Sequence, residues 1–281
     1  MKKILALLLV LVMVFALCAC GQAKTEEPKA EEAEEVVVEE TPAEEPAAEE
    51  PAAEEPAAEE PAAEEPAAEE PGVLSYAQFL EAEEGAQITV EAYVQATQSW
   101  WDNKITVYAQ EPEGGYFIYE MACTEDDSKL LVPGAKIRVT GDKAVWNGLV
   151  EITDPTFEFV EADPWVAEAL DIGELLGTEE LAAHMNEFIC VKDAVVADKG
   201  EGAAFFFNWD NSGEDGKCDL YFDVEVNGGT YTFVVRRYLT APGSEVYEAV
   251  KNLNVGDTVD IEGFLYWYEG PQPHITSIIV K

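Results

Sequence analysis

Positive charge is what this 281-residue chain has least of: 16 lysines and arginines stand against 58 aspartates and glutamates, a formal net charge of -42 at pH 7. Affinity for a phosphate backbone comes largely from cations that displace its counterions, so this balance argues against nucleic acid as a partner. Histidine is scarcer still. His184 and His274 lie far apart with no ligand-spaced neighbour and read as surface or capping residues. An enzyme needs a nucleophile with its base, a tuned carboxylate pair or a metal cluster, and none stands out among so many acids. No catalytic residue, metal ligand or cofactor is therefore assigned, and the chain reads as non-enzymatic. Long hydrophobic runs are also few: the one from Ile4 to Leu17 is too short to span a bilayer as a permanent helix.

That run, preceded by Lys2 and Lys3, has the form of a signal peptide over residues 1–19. It ends in Leu17-Cys18-Ala19-Cys20-Gly21, which resembles the bacterial lipobox. The resemblance implies that Cys20 is lipidated and becomes the N-terminus, attached to the outer face of the cytoplasmic membrane of a Gram-positive-type cell. Residues 20–71 are almost entirely Glu, Ala and Pro, with EEPAA repeated five times from Glu44 to Ala68. Proline at every fifth position prevents a continuous helix, and the glutamates repel one another. This is a disordered acidic stalk, able to reach on the order of 100–150 Å at roughly 3 Å per residue. Residues 72–281 carry 12 basic and 38 acidic side chains, so a net charge of -26 remains on the part able to fold.

The folding part is organised by a repeat. Gly134 to Gly148, GAKIRVTGDKAVWNG, returns as Gly256 to Gly270, GDTVDIEGFLYWYEG, with glycines at the same seven-residue offsets. Alternating apolar residues (Ile137, Val139; Val259, Ile261) predict strands with one buried face. The middle glycines, Gly141 and Gly263, predict bulges or bends, and the last ones tight turns.

Taken in order, residues 72–162 open with a short helix from Leu74 to Glu84. A meander follows (Ile88 to Val94, Ile105 to Ala109, Tyr116 to Met121), then the Gly134 strand and a last strand from Val150 towards Val160. Asp163-Pro164 has the form of a helix start and predicts a helical linker over 163–177. Residues 178–281 repeat the plan: a helix from Glu179 to Met185, a strand through Ile189, Val191 and Val195, a hairpin turned at Asn227-Gly228-Gly229, a helix from Ser244 to Leu253 and two closing strands. From Ile88 to Gly134 is 46 residues and from Ile189 to Gly256 is 67, so the second unit has room for an extra hairpin, placed around Asn227 to Gly229.

Five strands with a helix or loop between the third and fourth is the plan of the OB-fold. The wording "ITVEAYV", "VYAQEPEGGYFIYEM", "GAKIRVTG" and "WNGLVEI", and "VGDTVDIEGFLYWYEGPQPHITSIIV" in the second copy, resembles bacterial extracellular OB-type domains. The expected fold is mainly β, two tandem OB-like five-stranded barrels behind a signal peptide and a stalk. Some relatives of this kind accompany secreted nucleases, but no metal-nuclease constellation is recognisable here.

The expected function is a lipid-anchored scaffold of the cell envelope that binds a glycan or a basic protein segment. Its alternatives are an oligonucleotide-binding protein, aided by divalent ions, and a divalent-metal hydrolase. The candidate ligand-binding residues are Trp100 and Trp101, in the first strand connection, and Tyr266, Trp267 and Tyr268; Tyr108, Tyr116, Tyr119, Phe205, Phe207, Trp209 and Tyr221 are further aromatics, many of which the barrel interiors would consume. Asp210 to Gly216 is oxygen-rich but lacks the spacing of a calcium loop and reads as a solvated turn. Lipidation of Cys20 would leave Cys123, Cys190 and Cys218, an odd number that argues against a disulfide scaffold; a Cys190–Cys218 bond and two separate thiols both remain open.

Overall fold

Alternation in the first unit becomes a barrel because every second side chain has one place to go. The computed structural model of the chain describes residues 72–281; the expected signal peptide, lipidation site at Cys20 and acidic stalk lie outside the described residues. Strands β1 (Gln87–Thr97), β2 (Lys104–Glu111), β3 (Gly114–Ala122), β4 (Lys136–Trp146) and β5 (Leu149–Phe159) close in the order β1-β2-β3-β5-β4. Ile88, Val90, Ala92 and Val94 of β1 all point inward, at 1% exposure or less, against Val107, Ile118, Val139 and Ile152. Helix α1 (Tyr76–Glu81), with a capping box between Ser75 and Gln78, plugs one end by packing Tyr76 and Phe79 on Tyr116. Buried Lys143 donates to the Leu80 and Ala82 carbonyls at 2.6 and 2.7 Å, satisfying the open end of that helix. The polar interval after β3 forms a single helical turn, α2 (Glu125–Ser128), capped by Thr124.

The second unit contains β6 (Leu170–Asp171), a 3-10 turn (Glu179–His184), β7 (Phe188–Val196), β8 (Phe205–Phe207), β9 (Leu220–Val226), β10 (Gly229–Val235), α3 (Glu245–Lys251), β11 (Thr258–Phe264) and β12 (His274–Val280). The ring β7-β11-β12-β10-β9 closes through β7–β9 pairing, the same order as the first barrel, with β6 and β8 as edge additions. The fold is thus mainly β, two closed five-stranded OB-like barrels.

Both middle glycines sit at register shifts. The β4–β5 ladder slips between Thr140 and Asp142, and β11–β12 slips at Gly263. A Cβ on Gly263 would stand 2.3 Å from the His274 carbonyl oxygen, so backbone approach is what requires glycine there.

Three expectations are corrected. The extra hairpin exists, but it is β8–β9 across residues 208–219; Asn227-Gly228 turns the regular β9–β10 pair. The linker is extended rather than helical, because its backbone is claimed by the first barrel: Ala167 N–H donates to Gln95 Oε1 at 2.9 Å, Trp165 packs on Tyr93, and Pro164 crosses over side-chain-free Gly134. Leu170 and Asp171 then pair with β7. Finally, Tyr266 to Tyr268 do not continue a strand; β11 ends at Phe264, and residues 265–273 form a loop braced by a bridge between Trp267 and Pro271.

The barrels dock through Tyr108, Phe117, Leu149 and Phe264, all nearly inaccessible, with Met185, Phe188, Leu239, Tyr266 and Trp267 around them. Burial of side chains of this size contributes roughly 1.5–3 kcal/mol each. Polar pairs fix the geometry: Ser99 N–H to the Tyr238 carbonyl at 2.7 Å, Phe188 N–H to Gln110 Oε1 at 2.8 Å, and Glu269 N–H to the Asn147 carbonyl at 2.8 Å.

Candidate functional site

An OB barrel holds ligands on the face of its second and third strands and on the loops joining strands one to two and four to five. In the first barrel that surface comprises β2, β3, residues 98–103 and the β4–β5 turn; in the second it comprises β9, β10, residues 197–219 and the loop 265–273. These two surfaces face each other. Between them lies a cleft of about 780 Å³ to which the first barrel contributes Gln98, Phe117, Tyr119, Trp146 and Glu151. Trp209, Tyr221, Arg236, Tyr266, Tyr268, Gln272 and His274 come from the second.

Strand alternation explains the aromatic wall. Tyr116 and Ile118 point into the first core, so Phe117 and Tyr119 point out of it, towards the other barrel. Phe117 meets Tyr266 edge-on at 5.3 Å, Tyr266 stacks on His274 at 4.0 Å between centroids, and Trp146 lies 5.3 Å from Tyr268. Yet Tyr119, Trp146, Trp209 and Tyr268 keep 41–69% of their surface exposed. Such rings offer faces on which another flat or apolar face can stack.

Three ionisable groups sit among them. Arg236 donates through Nη1 to Asp219 Oδ2 at 2.5 Å; burial opposes its charge, the Asp219 carboxylate preserves it, and its buried Nε has no partner among the described residues. Glu151 is 8% exposed, and burial raises its carboxyl above the ordinary range. His274, read from the sequence as a surface residue, is instead buried at 3% exposure. Gln98 Nε2 donates to the Tyr108 hydroxyl at 3.1 Å, and that hydroxyl shares a hydrogen bond with His274 Nδ1 at 2.7 Å. Burial, followed by the charge of Arg236, holds the imidazole well below its usual range, so the ring is neutral. His184, by contrast, lies 3.2 Å from Glu187 at the end of the 3-10 turn.

The candidate residues named from sequence are divided by the structure. Trp100 donates Nε1–H to the Cys123 carbonyl at 2.8 Å and packs on the first core; it is a packing residue. Trp101, 61% exposed, lines a neighbouring groove that shares Gln98, Tyr119 and Arg236 with the cleft. Tyr266 and Tyr268 line the cleft, while Trp267 packs at the junction against Gly148. Sequence reasoning gave no role to Phe117, Tyr119, Trp146, Glu151, Trp209, Arg236 or His274. The available signal was aromatic residues on the non-core positions of strands whose other face was already accounted for. In the 208–219 loop, Asp210 Oδ1 accepts from Ser212 N–H, Glu214 pairs with Lys217 and Asp215 with Lys251, a salt-bridged turn. No group of three metal-capable side chains occurs among the described residues, and Cys123, Cys190 and Cys218 are free thiols.

No protein-family model matches the chain, and no curated protein matches it. Solved structures do. A murine DNA-binding protein bound with double-stranded DNA is similar at 11% identity and a TM-score of 0.34, over 69% of this chain and 94% of that one. A replication protein A heterotrimer bound to single-stranded DNA matches at 12% identity and 0.29, over 69% and 49%. The single-stranded DNA-binding protein from Thermus aquaticus matches at 9% and 0.25, over 70% and 95%. At these values the likeness concerns the fold alone. The expectation that nucleic acid is an unlikely partner is corrected in one respect: proteins named for binding DNA are among the structural neighbours.

Proposed function

We propose that this chain is a tandem OB binding protein that takes a single-stranded oligonucleotide into the cleft between its barrels. The observation that supports this most is the convergence of both OB ligand surfaces on one aromatic cleft with Arg236 in its wall. Bases would stack on Tyr119, Trp146, Trp209 and Tyr268, each stacked base contributing about 1–3 kcal/mol. A net charge of -26 on residues 72–281 opposes phosphate, so divalent cations would be needed to bridge or screen it. A second reading is a neutral glycan, favoured by one observation: Trp101 and Trp209 remain 61% and 69% exposed on a surface with few cations, and a sugar face needs none. Tryptophan fluorescence of the full chain, titrated with octathymidylate and with neutral oligosaccharides, with and without Mg²⁺, separates them. Oligonucleotide binding that requires Mg²⁺ and weakens about 5- to 150-fold in Trp146→Ala supports the first reading, by the same stacking energy. Binding of oligosaccharide alone selects the second, and binding of neither refutes the site.

The same proposal places the protein outside the cell, lipidated at Cys20, with residues 20–71 as its tether and binding rather than catalysis as its role. Two acyl chains give stable anchoring. Cys20→Ser should move the protein from the membrane fraction to the soluble one; continued membrane association would refute the anchor.

A further inference from the structure

Glu151 is a cleft carboxylate that the fold leaves without a partner among the described residues. It lies on β5 beside Phe117 in the parallel β3–β5 ladder, so the two side chains share the outer face of the first barrel. Glu151 is 8% exposed and has no hydrogen bond or ion pair with any described residue, and its unbonded carboxylate oxygens keep accessible surface where the residue lines the cleft. Other half-buried carboxylates here are paired: Glu91 with Lys136 and Arg138, Asp219 with Arg236, Asp223 with Lys199. An ionised carboxylate only accepts hydrogen bonds, and one so largely shielded from water, with no protein donor, is poorly solvated. A ligand that brings two adjacent N–H donors would remove that cost.

We propose that Glu151 selects guanine: its carboxylate accepts from the N1–H and N2–H of a guanine stacked in the cleft. This rests on the reading of the cleft as a site for single-stranded nucleic acid, where base edges are open to be read. Guanine alone among the common bases carries two neighbouring donors on that edge. Adenine and cytosine each set one amino group beside a ring acceptor, which a carboxylate repels, and thymine sets one N–H between two carbonyls. The guanine O6 acceptor can be met by the Gln272 amide, which also lines the cleft. The aromatic rings around Glu151 supply stacking to any base, so the discrimination comes from the carboxylate.

The test is fluorescence anisotropy of the full chain, in Mg²⁺, with the labelled probes d(TTGTTGTT), d(TTATTATT), d(TTCTTCTT) and d(TTTTTTTT). The guanine probe should bind about 5- to 150-fold tighter than the others, the range for one bidentate base contact of about 1–3 kcal/mol. In Glu151→Gln the preference should vanish while the thymine probe still binds. Equal binding of all four probes by the parent chain overturns guanine selection and leaves the cleft's proposed function standing. Preference for cytosine or adenine, or a guanine preference that survives Glu151→Gln, also overturns it. If no probe binds with or without Mg²⁺, the proposed function fails and this inference with it. Should circular dichroism show that the variant does not fold, competition on the parent chain decides: guanosine must displace the guanine probe where adenosine and cytidine do not.

Discussion

Mild acid is expected to destabilise the barrel junction through His274, and the size of the effect follows from its surroundings. The ring is buried, stacked on Tyr266, hydrogen-bonded to the Tyr108 hydroxyl and near Arg236; burial first and the Arg236 charge second favour the neutral form. An unfolded chain exposes an imidazole of ordinary affinity, about 6.5. Below that pH the unfolded state binds a proton that the folded state does not, so stability is fully present above about 6.5 and falls as pH falls. While the folded ring stays neutral, the loss is about 1.4 kcal/mol for each pH unit. That slope is reached only well below pH 6.5, the pH at which the unfolded imidazole is half protonated; between pH 6.5 and 5.5 the loss is about 1 kcal/mol, a fall in Tm of about 2–4 °C for a folded region of this size. Glu111, Glu151 and Glu187 act in the opposite direction, since burial raises all three and their protonation relieves it. Comparison with His274→Asn isolates the histidine: Asn can offer Oδ1 to Tyr108 but does not titrate. Thermal unfolding followed by circular dichroism at pH 7.5, 6.5 and 5.5, at fixed ionic strength, should show the parent losing its advantage over the variant as pH falls. Parallel Tm curves for the two proteins would refute the reasoning.

Gly263→Ala should cost about 1–3 kcal/mol or more, because the new Cβ meets the His274 carbonyl and Ile275 Cα, backbone atoms that cannot step aside; Gly141→Ala, which meets Ile152 and Thr153 at 2.8 Å, should cost less, and urea unfolding of both variants checks the order. Glu151→Gln should raise Tm at pH 7.5, since the ionised buried carboxylate no longer has to be desolvated, and the gain should shrink towards pH 4, where the parent carboxyl is protonated; an unchanged or lower Tm at pH 7.5 would show that Glu151 is not a burdened group.

What the sequence determined by itself was local and periodic. Ile88, Val90, Ala92 and Val94 announce a strand with one dry face because side chains alternate every residue, and Gly141 and Gly263 mark bulges because a Cβ there strikes a neighbouring backbone. Hence the repeat, the five-strand plan and the mainly β fold were legible. The linker was misread because Asp163-Pro164 signals a helix only when nothing else binds that backbone, and Gln95, seventy-two residues before Ala167, does. The candidate site was legible in part: Tyr266 and Tyr268 reach the cleft, whereas Trp100 is consumed by packing. Tertiary structure alone decided the rest. Whether Phe117, Tyr119 and Trp146 face water or a partner depends on which barrel face docks on which, and that is set by contacts such as Tyr108 with Phe264 and His274, more than 150 residues apart in sequence. No local pattern encodes a contact at that distance, so the burial of His274, the unpartnered Glu151 and the cleft that joins them exist only once both barrels are folded and closed against each other.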